Sequence, residues 1–176
     1  MDTSFTVGDG FDDSVNIIQI QSDGKIIVGG FFSSYSGTSM SGIVRLNTDG
    51  SLDTSFQIGT GLNGGGVQDI GIQLDGKIVI CGGFSEFSGV TSVGLARLNS
   101  DGSLDTSLYV GNGFDGGSYA LVLQSNGKII IGGSSSLYND IPIGNLVRIN
   151  SDGSLDTSLN IQPRFYHTIY ALSIKE

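Results

Sequence analysis

Gln21-Ser22-Asp23-Gly24-Lys25-Ile26-Ile27-Val28-Gly29-Gly30-Phe31 is the stretch on which the fold turns. A short apolar run stands there between an Asp-Gly dipeptide and a Gly-Gly pair. Asp-Gly between apolar runs predicts a two-residue hairpin, because both central residues of a type I′ turn need positive φ. On the N-terminal side, Val15 to Gln21 carries Ile18 and Ile20 at period two, the alternation of a strand. On the C-terminal side, Lys25 to Gly30 is apolar without alternation, as expected of a strand covered on both faces.

Moving outward, the same features return. Asp23-Gly24-Lys25 recurs as Asp75-Gly76-Lys77 and Asn126-Gly127-Lys128, at spacings of 52 and 51 residues. Arg45-Leu46-Asn47 recurs as Arg97-Leu98-Asn99 and Arg148-Ile149-Asn150, and Asp49 to Ser55 recurs as Asp101 to Ser107 and Asp152 to Ser158. Such copies mark a tandem repeat. The units span about 11–61, 62–113 and 114–164, with partial units at 1–10 and 165–176. Asp2-Thr3-Ser4-Phe5 matches the tail of a unit, and Tyr170-Ala171-Leu172 matches Tyr119-Ala120-Leu121 at the start of one.

Each unit reads as four strands. After the two named above, a Ser/Gly-rich loop (Ser33 to Gly42) leads to a third around Ile43 to Asn47, and a turn leads to a fourth near Phe56 to Ile58. One strand from Asp2 to Val7 and one from Thr168 to Lys175 bring the expected count to fourteen. No segment carries a helical stripe, and Gly is too frequent for one. A lone four-stranded sheet cannot bury both faces, so neighbouring units must stack on it. The expected fold is therefore all-β, a β-propeller-like array of four-stranded antiparallel blades. A β-trefoil, also built of three four-stranded units, is the alternative. The Gly-Gly pair favours the propeller, where close packing about an axis leaves little room for side chains.

Residues 21–31 and Arg45-Leu46-Asn47-Thr48-Asp49-Gly50-Ser51-Leu52-Asp53-Thr54-Ser55-Phe56 resemble the delta-60 repeat family. That resemblance covers essentially the whole chain. It implies a propeller-like fold and a setting in large bacterial surface proteins or in virion and tail-associated proteins of bacteriophages. The third copy departs from the pattern, with Asn126 for Asp and Ser134 for Phe. Family members usually carry more than three units, which bears on whether one chain closes a ring.

The formal net charge is −9, from 17 acidic and 8 basic residues. An acidic surface repels phosphate backbones and anionic headgroups, so binding to nucleic acid or to a membrane surface is disfavoured. No run of 18 apolar residues suggests membrane insertion. Met1 to Phe5 lacks the basic region and apolar core of a signal peptide, which fits either a chain not secreted by that route or a mature fragment.

No catalytic, cofactor-binding or metal-ligating residue is assigned. Cys81 is the lone cysteine and lies in an apolar run, as a buried inert thiol would; a pairing with the lone His167 would need further partners. Six of the eight basic residues and nine of the 17 acidic ones occupy repeat positions, so architecture explains them better than a single site. The Arg of the third strand (Arg45, Arg97, Arg148) is expected to pair with a repeat Asp. Asn47-x-Asp49-Gly50-x-x-Asp53 and its copies have a spacing loosely like that of calcium loops. Two carboxylates without a bidentate Glu read better as a tight turn. Gly8-Asp9-Gly10, Gly59-Thr60-Gly61 and Gly111-Asn112-Gly113 precede strands rather than helices and read as connectors, not phosphate loops. Tyr35, Phe87 and Tyr138 are expected to anchor each loop on its blade, with a sugar- or protein-stacking rim as the alternative. The segments 138–142 and 162–167 diverge most between copies and are where one-off contacts would lie.

The expected function is that of a non-enzymatic structural or attachment module, foremost a bacteriophage virion component located in the particle. The alternative is a piece of a bacterial cell-surface adhesin, and a propeller-type hydrolase stands third. Expected partners are the chain itself or other virion proteins through the terminal strands, and a surface glycan or protein receptor. If the Asn-x-Asp-Gly-x-x-Asp segments are turns only, calcium and EDTA will each leave the melting temperature unchanged. A rise with calcium that Asp101→Ala removes would reverse that reading.

Overall fold

The apolar run of each unit forms the middle of a three-stranded antiparallel sheet. The computed structural model describes residues 4–159 and 165–174. Unit one holds β1 (Val15–Ile20), β2 (Ile26–Gly30), β3 (Ser34–Tyr35), β4 (Thr38–Ser39) and β5 (Ile43–Leu46). Unit two holds β6 (Leu62–Asn63), β7 (Val67–Ile72), β8 (Ile78–Gly82), β9 (Glu86–Phe87), β10 (Val90–Thr91) and β11 (Leu95–Leu98). Unit three holds β12 (Ser118–Leu123), β13 (Ile129–Gly133), β14 (Leu137–Tyr138), β15 (Ile141–Pro142) and β16 (Leu146–Ile149). The main sheets run β1-β2-β5, β7-β8-β11 and β12-β13-β16, and the first strands β1, β7 and β12 lie side by side.

The apparently featureless middle strand does alternate, between two neighbours rather than between core and solvent. Ile78 and Ile80 join a core cluster with Ile27, Ile43, Val67 and Ile70, shared with unit one. Val79 and Cys81 join a second cluster with Leu121, Ile129 and Ile131, shared with unit three. Both faces are apolar because both are interfaces. The Gly-Gly pair has two separate reasons. A methyl group on Gly29 would stand 2.7 Å from Val67 Cγ1 and 2.9 Å from Ile70 Cδ1 of the next unit. Gly30, Gly82 and Gly133 instead abut the carbonyls of Ser14, Gly66 and Gly117 in their own units, where a bulge shifts the register of the first strand.

Four expectations are corrected. The hairpin after the first strand has three loop residues: Gln21 N–H donates to Lys25 O and Gly24 N–H to Gln21 O, at 2.8 and 2.9 Å. Gly24, Gly76 and Gly127 have φ of 84°, 82° and 82°, while Asp23, Asp75 and Asn126 do not take positive φ. This is a type I turn ending in a left-handed Gly, not a type I′ turn. The Asp23, Asp75 and Asn126 side chains each accept the amide two residues on, a local bond that favours the right-handed turn.

Among the described residues no fourth strand joins the sheets, and the counterpart in unit three lies partly outside them. Leu52, Leu104 and Leu155 make single bridges to the outer strand, and the chain then leaves the sheet. Phe56 N–H closes a turn on Asp53 O, and Gln57 N–H reaches Asp101 O of the next unit at 2.6 Å. Phe56 and Ile58 are buried at period two like a strand, but their backbone serves the neighbouring unit. The Ser33 to Gly42 loop, expected to be irregular, contains the β3–β4 hairpin. Finally, residues 4–7 and 168–174 form no strand. Thr6 N–H still reaches Asp49 O (2.8 Å) and Ile169 N–H reaches Gly133 O (3.0 Å). The remaining parts of the two expected terminal strands lie outside the described residues.

Gly76→Val tests the turn, because only Ser100 Cβ, 3.8 Å away, lies near the added group. Strain from φ alone is expected to cost about 1 kcal/mol or more, read by urea unfolding. An unchanged midpoint would remove the left-handed assignment.

Candidate functional site

The most elaborate side-chain arrangement occurs three times. Asp105 Oδ2 accepts from Lys77 Nζ at 2.8 Å and Arg97 Nε at 2.7 Å. Its Oδ1 accepts from the Ser107 amide (3.0 Å) and hydroxyl (2.6 Å). Arg97 Nη2 donates to Ser107 Oγ at 3.0 Å, and Nη1 crosses to Ser151 O of the next unit at 2.7 Å. Lys25, Arg45, Asp53 and Ser55 repeat this in unit one, where Arg45 also reaches Ser100 O and lies over the Phe56 ring. Lys128, Arg148, Asp156 and Ser158 repeat it in unit three. The expected Arg–Asp pair is thus present, with a Lys that sequence reading left unpaired. That Lys lies 28 residues from its Asp, and only the hairpin brings the two together.

Asp53, Asp105 and Asp156 are buried. Burial alone would raise the Asp53 and Asp105 carboxyls. The Lys ammonium, the Ser hydroxyl and amide and the Arg guanidinium outweigh it and hold both well below the usual carboxylate range. Lys128, then Ser158, do the same for Asp156. Each of these carboxylates accepts four hydrogen bonds from within its own cluster.

The other candidates fall into place around this frame. Asp49 faces Ser51, whose amide and hydroxyl it caps at 3.0 and 2.6 Å, while Asp53 faces the cations. The two carboxylates of the calcium-like spacing therefore engage different partners, and Asp101 and Asp152 repeat the cap. Among the described residues no three His, Cys, Asp or Glu side chains gather as a metal would require. Tyr35, Phe87 and Tyr138 are buried anchors: the Tyr35 and Tyr138 hydroxyls donate to Gly50 O and Gly153 O at 2.6 Å. Burial pushes the Tyr138 phenol up to about 12. Cys81 is fully buried; burial, then the nearby Asp69 charge, raises its thiol well above its usual range. His167 is exposed on the C-terminal segment. The connectors Gly8-Asp9-Gly10, Gly59-Thr60-Gly61 and Gly111-Asn112-Gly113 form turns between units.

Three features escaped sequence reading. Asp12 and Asp115 each gather the start of the loop that follows the middle strand. Asp12 accepts from the Ser33 hydroxyl and from the Ser33 and Ser34 amides, which lower its pKa to about 2. Asp69, half-buried and raised by that burial, accepts the Leu121 amide of the next unit at 2.8 Å. Grooves of ≈340 and ≈640 Å³ recur between the short hairpin and the connector of units two and one, and Tyr109 stands exposed beside the former. In unit three, the divergent 138–142 loop carries β15, and Asp140 accepts from Asn112 at 2.8 Å. Residues 162–164 of the other divergent segment lie outside the described residues.

With sheets and clusters in view, comparison with known families is decisive for the fold. A family model described as "Domain of unknown function (DUF5122) beta-propeller" matches residues 21–56, 73–108 and 124–159, together more than half of the chain. The chain belongs to this β-propeller repeat family. The trefoil alternative is set aside accordingly. Each match runs from the Gln before the hairpin to just past the Asp–Ser turn, so it contains one complete Lys–Arg–Asp–Ser cluster. No match is found among curated proteins.

Asp105→Ala would leave Lys77 and Arg97 facing an empty place and is expected to cost about 3 kcal/mol or more. Asp9→Ala, at an exposed position of the first connector, is the control. The three cluster Asp residues have folded pKa values below their unfolded ones. Their stabilisation is therefore complete above the usual carboxylate range near pH 4 and is lost progressively as pH falls from there towards their lowered folded values. Urea midpoints are expected to decline from pH 5 to pH 2. A flat profile would deny the clusters this part.

Proposed function

We propose that the chain is a non-enzymatic structural and attachment module, a component of a bacteriophage particle in its tail, fibre or capsid decoration. The phage setting rests on the resemblance to delta-60 repeats; the observation that carries the structural part of this reading is the use of the repeated charges. Among the described residues nearly all of them are engaged inside Lys–Arg–Asp–Ser clusters or turn caps, where they hold the frame rather than converge as acid, base or nucleophile. The parts that differ between units are surface loops, where a rigid repeat frame presents one-off contacts. The grooves beside Tyr109 and Gln57, walled by Thr and Ser with an apolar floor, suit a surface glycan or a protein loop.

A piece of a bacterial cell-surface adhesin is the second reading. The exposure of Val15 and Ile18 favours it, since further units of a longer array would cover them. An antiserum against the chain is expected to label purified particles of the encoding phage in immunoelectron microscopy. Labelling of intact cells and not of particles would favour the adhesin. Turnover of a glycoside or lactone panel, abolished by an Asp69→Asn change, would overturn both.

A further inference from the structure

The three junctions use one plug and one socket. In the first, Val67 and Ile70 of β7 pack over Gly29, and both are essentially inaccessible. In the second, Leu121 packs in the cluster that holds Cys81, while Ser118 takes the register position of Val67. At the matching positions this junction carries a larger socket residue and a smaller plug residue. In the third, Ile169 and Leu172 of the C-terminal segment pack over Gly132, the Ile169 Cβ 3.0 Å from where a methyl group would stand.

The third junction is incomplete. Ile130 is only half-buried, whereas its counterparts Ile27 and Val79 are inaccessible. The Arg45 and Arg97 guanidinium groups each donate to a carbonyl of the following unit, Ser100 and Ser151. Among the described residues Arg148 makes no such bond, and its side chain is 18% exposed against 8% and 6% for the other two. At the opposite end, among the described residues, Val15 and Ile18, the counterparts of Val67 and Ile70, are 37% and 57% exposed.

We propose that the outer face of unit three, formed by Gly132, Ile130 and Arg148, docks the first unit of a second copy of this chain. This rests on the structural-module reading above. In the complex, Val15 and Ile18 of one copy take on Gly132 of the other the place that Ile169 and Leu172 hold in the free chain. Thr48 O, the counterpart of Ser100 O and Ser151 O, receives the free arm of Arg148. Residues 165–174 are therefore a competing cap, and head-to-tail association requires their displacement. The occupant is a second copy because Gly132 with Val15 and Ile18 would reproduce Gly29 with Val67 and Ile70, the first junction inside the chain. A Gly socket takes a branched aliphatic plug, and Val15 is Val67 over again.

Sedimentation equilibrium of the full-length chain tests this without a receptor or a particle, so its outcome is separate from that of the attachment reading. Leu172→Asp, which weakens the cap, is expected to tighten self-association at least tenfold over the unaltered chain. Adding Ile18→Asp to it, a change at a solvent-facing position, is expected to restore the monomer. Ile169→Ser, which only trims the cap, is the second variant should Leu172→Asp lose the cooperative unfolding of the parent. Cap variants that stay monomeric would overturn the proposal, as would association that Ile18→Asp leaves untouched.

Discussion

Asp53, Asp105 and Asp156 are each set in a place where water is scarce and two cations converge. A buried carboxylate without partners would disfavour the folded state by several kcal/mol, so the geometry of its partners is constrained tightly. Lys reaches it from the end of the first hairpin, Arg from the outer strand, and Ser from the turn immediately following. Three pieces of chain that a hydrophobic core would hold only loosely in angle are thereby fixed at one point. The second arm of the Arg then extends the same network to a backbone carbonyl about 55 residues on, so the device that shapes one unit also orients the next.

The remaining inter-unit bonds share that logic. The amides of Gln57 and Tyr109 answer carbonyls of the following turn, and the Asn16 amide and Asp69 carboxylate link first strands across a junction. Two of the apolar clusters span these junctions, while a third, built on Val28, Phe32, Tyr35, Val44 and Leu46, lies within unit one. Stability in such an array is set by neighbours as much as by the unit itself. Unit one leaves Val15 and Ile18 exposed, and unit three is covered on its outer side by residues 165–174 rather than by a full unit, so the end units have fewer neighbours than the middle one.

The repeat period, the middle strand and the Arg–Asp pair were legible because each depends on residues a few positions apart or on identical copies. What was not legible depends on where backbone goes. Phe56 and Ile58 alternate like a strand and are buried like one, yet the amide between them bonds to another unit, which no periodicity discloses. The Asp-Gly pair is compatible with two turn types, and the Asp side chain's bond to the amide two residues on selects between them. The Lys of each cluster gave no signal because its partner is a strand and a loop away. The DUF5122 match placed the chain in the propeller family, where four-strand counting left the trefoil open.

The exchange of Gly for Cys81 and of Val for Ser118 bears on how such a chain finds its own order. Three near-identical units invite pairing with the wrong neighbour during folding, a hazard of repeat proteins generally. Unit three docked on unit one would set Ser118 against Gly29 and leave a void. A Val-bearing first strand docked on unit two would press against the Cys81 thiol. Both errors cost packing that the correct order does not, so a single pair of atypical residues gives an otherwise repetitive chain an address for its middle joint.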